Sequence, residues 1–147
     1  MNHLDVLRTY KEFKYVLYNT VEPRMQQEYI RVCNIIKNNG HSLHSDWDLT
    51  GGVMLENDRE VIASIFYNTT KYKTALLINV AYVEPEYRRQ GIYTELHNCV
   101  DLVAKQYNME KIYSYIHANN RPMIDSVMSK IGYSTVMHLV SRETKKI

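Results

Sequence analysis

Between residues 74 and 117 the apolar pattern changes period twice, and that change limits the fold more than any other feature. Residues 74–83 are almost continuously apolar, the pattern of a strand covered on both faces. From Gly91 onward Ile92, Leu96, Val100, Val103 and Tyr107 recur at helical steps and make one apolar stripe. Residues 111–117 return to a strand pattern. A strand, a helix and a strand in one sheet need a right-handed crossover and parallel pairing. The fold class is therefore α/β.

The rest of the chain adds antiparallel strands. Residues 12–18 are rich in β-formers and predict a first strand. Pro23 suits the first turn of a helix. Met25, Tyr29, Val32, Cys33 and Ile36 give that helix one apolar face, and Gly40 ends it. Residues 41–50 are polar and irregular. Gly51 and Gly52 then lead into a strand at 53–56, a turn at Asn57-Asp58 and a hairpin partner at 60–67. Past residue 117, Pro122 opens a short helix carrying Ile124, Val127, Met128 and Ile131, which Gly132 ends. Residues 136–140 predict a last strand. The order β-α-β-β-β-α-β-α-β implies a mixed sheet of about six or seven strands with helices on both faces.

At 147 residues the chain fits a single domain, 1–147, with no Pro/Gly/Ser-rich linker to divide it. Eighteen basic against sixteen acidic residues leave a net charge of +2, too balanced for binding nucleic acid mainly by charge. No apolar run approaches the ~20 residues of a membrane span, and the N-terminus has no signal-peptide pattern. A cytoplasmic protein without membrane attachment is expected. Cys33 and Cys99 both fall on apolar helical stripes and read as buried thiols rather than a disulfide.

Chemistry concentrates at residues 83–96, VEPEYRRQGIYTEL, where the apolar strand passes through a tight basic loop into a helix. A helix start carries unpaired N–H groups and partial positive charge, so it holds anions and suits phosphates. Gly91 lets the backbone come close to such an anion. Arg88 and Arg89 add charge. A solvated turn capping an amphipathic helix explains the same residues without a ligand. No Gly-Lys-Ser/Thr follows a glycine-rich loop, and no G-x-G-x-x-G follows an early strand, so neither of those phosphate loops is present.

The segment resembles motif A of the GNAT superfamily of N-acetyltransferases, Arg/Gln-x-x-Gly-x-Gly/Ala, here Arg88-Arg89-Gln90-Gly91-Ile92-Tyr93. Residues 79–85, NVAYVEP, are similar to the family's fourth strand and its Pro-containing exit. Asn120-Arg121-Pro122-Met123 and Lys130-Ile131-Gly132-Tyr133 are similar to motif B. The likeness covers at least residues 74–133. It implies a GNAT acyl-CoA N-acyltransferase fold, its mixed central sheet splayed between the fourth and fifth strands, with acetyl-coenzyme A as cosubstrate entering the gap. By the same likeness, Ala81, Tyr82 and Val83 would pair with the pantetheine arm. Arg88, Arg89, Gln90, Gly91, Ile92, Tyr93 and Thr94 would hold the pyrophosphate, and Asn120 would lie against the cofactor's far side.

Three positions depart from the family pattern. Tyr93 stands where motif A has its second small residue, so its ring must point away from the phosphates. Met128 stands where many members have a tyrosine acid, and Tyr115 where N-terminal acetyltransferases have a glutamate base. General acid and base are thus unassigned, with Tyr115 and His117 as the candidates.

His41-x-x-His44-x-Asp46 has a loose metal-like spacing but no third or fourth ligand nearby, and it reads as a surface loop; no metal is expected. In this fold the same loop borders the acceptor, so Asp46, Trp47 and Asp48 are candidates to attract a cationic amine. Glu84 is either solvated or functional, and His138 is structural. Met25, Met123, Met128 and Met137 read as packing residues. The expected activity is acetyl transfer from acetyl-coenzyme A to a primary amine by direct attack in a ternary complex. The acceptor could be a polyamine, an amino sugar, an amino acid, or an amine on a protein or aminoacyl-tRNA. Two other readings remain: a coenzyme-A-binding protein without useful turnover that acts through protein contacts, and a plain structural domain. No sequence feature decides whether the chain forms a homodimer.

Overall fold

The computed structural model describes residues 5–40 and 48–114. Six strands form one mixed sheet: β1 (Asp5–Tyr10), β2 (Phe13–Asn19), β3 (Gly51–Glu56), β4 (Val61–Asn68), β5 (Ala75–Val83) and β6 (Lys111–Ser114). Two helices join them, α1 (Pro23–Asn38) and α2 (Ile92–Gln106). The strands lie side by side in sequence order. β1 to β5 are antiparallel to their neighbours, and β6 runs parallel to β5, as the intervening helix requires. The elements expected after residue 117 lie outside the described residues.

The strand expected first is in fact the second. β1 precedes it as an exposed edge strand, with a register shift between Val6 and Arg8. Its turn to β2 is Lys11-Glu12, with Lys11 at φ 53°. A lysine in the left-handed region is an uncommon turn residue, and β1 faces largely outward. Neither the turn signal nor the apolar alternation was therefore there to read. The other turns follow local chemistry. The Asn57 side-chain oxygen accepts the amides of Arg59 and Glu60 at 2.9 and 3.0 Å. That of Asn68 accepts Thr70 and Lys71 at 2.9 and 2.8 Å.

Helices cover both faces of the sheet. Met25 and Val32 of α1 pack against Val16, Tyr18, Met54, Phe66 and Val80. Strand alternation turns Tyr15, Val53, Leu55, Ile65 and Tyr67 to the opposite face. There α2 lies, its Glu95 and Cys99 raising the Tyr15 phenol together with the larger effect of burial. Cys33 on α1 and Cys99 on α2 are both free and buried, on opposite faces, as expected. α2 starts near β1 and β2, where Arg8 meets Glu95, and ends beside Lys111 and Ile112 of β6.

Gly51 sits where the strands leave no room for a side chain. A Cβ there would collide with the Tyr18 carbonyl oxygen and stand 2.9 Å from the Tyr67 hydroxyl. Gly51→Ala is expected to destabilise the fold by about 2 kcal/mol through overpacking. A denaturant titration reads it as a lower midpoint.

Candidate functional site

β5 carries one irregularity. Its register with β4 shifts where Phe66 faces Val80 and Tyr67 faces Ile78, so Asn79 is an extra residue. Such a bulge bends the strand and leaves main-chain groups out of the ladder. The ladder to β6 pairs Ala75 to Ile78 with Lys111 to Ser114. Ala81, Tyr82 and Val83 follow on the stretch beyond it. From α1 the Tyr29 hydroxyl reaches this point, hydrogen-bonded to the side chains of Asn79 and Cys33. Its ring sits edge-on to Phe66 at 5.1 Å, and burial pushes the phenol up to about 12.

After β5 the chain makes a short 3₁₀ turn, Pro85–Tyr87, and then two left-handed residues: Arg89 at φ 64° and Gly91 at φ 82°. Alternating left-handed residues turn successive amides inward and make an anion-binding concavity. Gly91 is also the N-cap of α2, and no side chain caps that helix. The amides of Ile92, Tyr93 and Thr94 therefore face the same space, with the helix dipole behind them. A Cβ on Gly91 would meet nothing within 4 Å, so the cradle is open. Amides, two arginines and an open concavity suit an anionic group such as a pyrophosphate.

The two arginines behave differently. Arg88 folds back on β5, its Nε donating to the Val83 carbonyl at 2.9 Å and its guanidinium 5.6 Å from the Tyr82 ring. Arg89 is exposed. Gln90 donates to the Glu86 carbonyl at 3.4 Å and accepts from the Tyr10 hydroxyl. Tyr93 packs its ring along α2 toward the next turn. Its ring lies 4.6 Å from His97, one helical turn on, and burial raises the phenol to about 12. Glu84 is held by Arg31 of α1 at 2.7 Å, and Arg31 also grips the buried Glu28 at 2.6 and 3.0 Å. That network ties α1 to the end of β5.

Asp48 is exposed at the opposite end of the sheet, its carbonyl accepting from the Asn68 side chain. Asp46, Trp47, Tyr115, His117 and Asn120 lie outside the described residues, as do His41, His44, Met128 and His138. Burial raises both thiols, Cys99 to about 11. Thiols that hold their protons are poor nucleophiles. Among the described residues no cluster of three or more His, Cys, Asp or Glu could hold a metal ion.

The family model for the Acetyltransferase (GNAT) family matches residues 5–133, and the chain belongs to that family. Solved structures of the same fold are distant in sequence. One is the aminoglycoside N-acetyltransferase AAC(6')-Iy in complex with CoA, 13% identical, covering 85% of this chain and 97% of its own, with a TM-score of 0.60. A second is the ribosomal-protein-alanine N-acetyltransferase of Brucella melitensis biovar Abortus 2308, at 11% identity, 88% and 99% coverage and a TM-score of 0.65. A third is the aminoglycoside 6'-N-acetyltransferase AAC(6')-Ih of Acinetobacter baumannii, at 18% identity, 85% and 95% coverage and a TM-score of 0.58. No curated protein matches the chain by sequence. The mixed sheet with helices on both faces is thus the α/β fold of this family. No described helix is long and apolar enough to cross a membrane.

Proposed function

We propose that this chain moves an acetyl group from acetyl-coenzyme A to a primary amine by direct attack in a ternary complex. The observation that carries the reading is the uncapped start of α2 behind the left-handed pair Arg89 and Gly91. It is a cradle for a pyrophosphate at the carboxyl end of the bulged strand. A pyrophosphate held there lets the pantetheine arm run back along Ala81–Val83 toward Asn79. The amine nitrogen then attacks the thioester carbonyl, the C–S bond breaks, and the departing sulfur takes a proton. Main-chain groups released from the ladder by the bulge can stabilise the oxyanion. Positioning supplies much of the remaining rate. The raised pKa values of Cys33 and Cys99 support direct transfer over a thiol-bound intermediate.

The structures of this fold include acetyltransferases named for aminoglycosides and for ribosomal-protein alanine, both of which present amines. An amine-bearing small molecule or protein is therefore the acceptor class we favour. Asp48, with Asp46 and Trp47 beside it in sequence, stands near the end of the sheet where β5 begins, and acidic residues there would draw in a cation. Release of coenzyme A thiol is the assay, run over a panel of amino sugars, polyamines, amino acids and peptides. For an accepted amine, replacing Asp46 and Asp48 together with asparagine is expected to raise its KM about tenfold with kcat little changed. An unchanged KM would remove these residues from the acceptor site. Coenzyme binding without thiol release on any acceptor would establish the alternative, a coenzyme-binding protein without turnover.

A further inference from the structure

The anion loop has a long way to travel. It leaves β5, crosses the end of the sheet and brings the first turn of α2 near β1 and β2, where Tyr15 feels Glu95. On that path it holds Arg89 in the left-handed region, a conformation that strains a non-glycine residue and persists only where the surroundings enforce it. Contacts inside the loop fix its β5 end: Arg88 bonds to Val83, and the amide of Tyr87 donates to the Glu84 carbonyl at 2.9 Å.

The N-terminal hairpin holds the loop from outside along its length. Phe13 of β2 meets the Tyr87 ring edge-on at 5.8 Å. Tyr10, at the end of β1, donates its hydroxyl to Gln90, the residue between the two left-handed ones. Arg8 of β1 lies 2.6 Å from Glu95 in the first turn of α2. A cavity of about 220 Å³ remains between the hairpin and the loop, bounded by Tyr10, Tyr15, Gln90, Gly91 and Glu95. Side-chain struts beside this cavity link the loop to the hairpin.

We propose that β1 is a brace for the coenzyme loop, with Arg8 and Tyr10 as positioning residues that preorganise the amides of residues 89–94 for the coenzyme phosphates. The inference rests on the coenzyme reading above. Loosening either strut lets the loop sample other shapes, and the coenzyme must then supply the ordering itself.

The test uses the full chain, with coenzyme A titrated calorimetrically into wild type, Tyr10→Phe, Arg8→Met and the double variant. Each single change is expected to raise Kd about threefold, and the double about tenfold, the scale of one net hydrogen bond and one part-exposed ion pair. KM for acetyl-coenzyme A should rise with Kd while kcat at saturation stays the same, and Arg8→Lys should recover most of the loss. A hairpin that only stabilised the fold would lower the melting temperature and leave Kd of the folded protein untouched. That result, or a double variant equal to wild type, overturns the brace. Wild type that binds no coenzyme A overturns the coenzyme reading itself and the brace with it.

Discussion

Gly91→Asp is expected to abolish the rise in melting temperature that coenzyme A gives the wild-type chain, while the apo protein stays folded. The two halves of that result have separate causes. A Cβ on Gly91 meets nothing within 4 Å, so the substitution creates no clash. The φ of 82° strains a side-chain-bearing residue, yet aspartate tolerates the left-handed region better than most. Position 91 is also the N-cap of a helix with no side-chain cap, where a carboxylate is favourable. Strain and capping oppose each other, and apo stability should change little. The new charge, however, would stand in the anion cradle. Two unit charges about 5 Å apart repel by about 3 kcal/mol at an effective dielectric near 20, enough to weaken binding about 100-fold. Wild type with coenzyme at about 100 times Kd gains about 2.7 kcal/mol, which at this size is a shift of several degrees. Gly91→Ala, strained but uncharged, should keep part of it. A shift preserved in Gly91→Asp would mean that the phosphates bind elsewhere.

What could be read from the sequence was local. Helix α1 between Pro23 and Asn38, the turns at Asn57 and Asn68, and the strand-to-helix junction at Gly91 each rest on residues a few positions apart. Propensity and period act at that range. The left-handed residue at Gly40 that ends α1 could be anticipated because only glycine takes that conformation freely. Arg89 adopting it as well could not, since the reason lies in contacts around the loop. Strand β1 was missed for a related reason. Its outward residues carry no apolar alternation, and its value lies in Arg8 reaching Glu95 and Tyr10 reaching Gln90, eighty or more positions away. The bulge at Asn79 is likewise set by how β4 and β5 align, which a continuous apolar run does not encode. Glu84, left open between solvent and function, proved to be tied to Arg31 for the same reason.

His97 shows how a residue with no sequence signal can govern a property of the whole protein. It lies on the buried stripe of α2, 2% exposed, with Tyr93 packed on its ring. Burial depresses its imidazole from an ordinary 6.5 to about 4. In the unfolded chain the same ring protonates near 6.5, so between those values the unfolded state binds more protons and gains on acidification. The stability that His97 supports is complete above about pH 6.5 and drains away as the pH falls toward 4. A difference of that size corresponds to about 3 kcal/mol across the window. Glu56 and Asp101 act in the other direction, because burial raises both carboxyls and the folded state takes up their protons first. A bare pH titration would mix the three, so the comparison is with His97→Gln, which cannot titrate. Denaturant unfolding at pH 7.5 and pH 4.5 should show the wild type losing 2–3 kcal/mol more than the variant, about the scale of the linkage. The imidazole should be seen by NMR to titrate near pH 4. A wild type and variant that lose the same stability would mean that His97 gains a proton in the folded state without penalty.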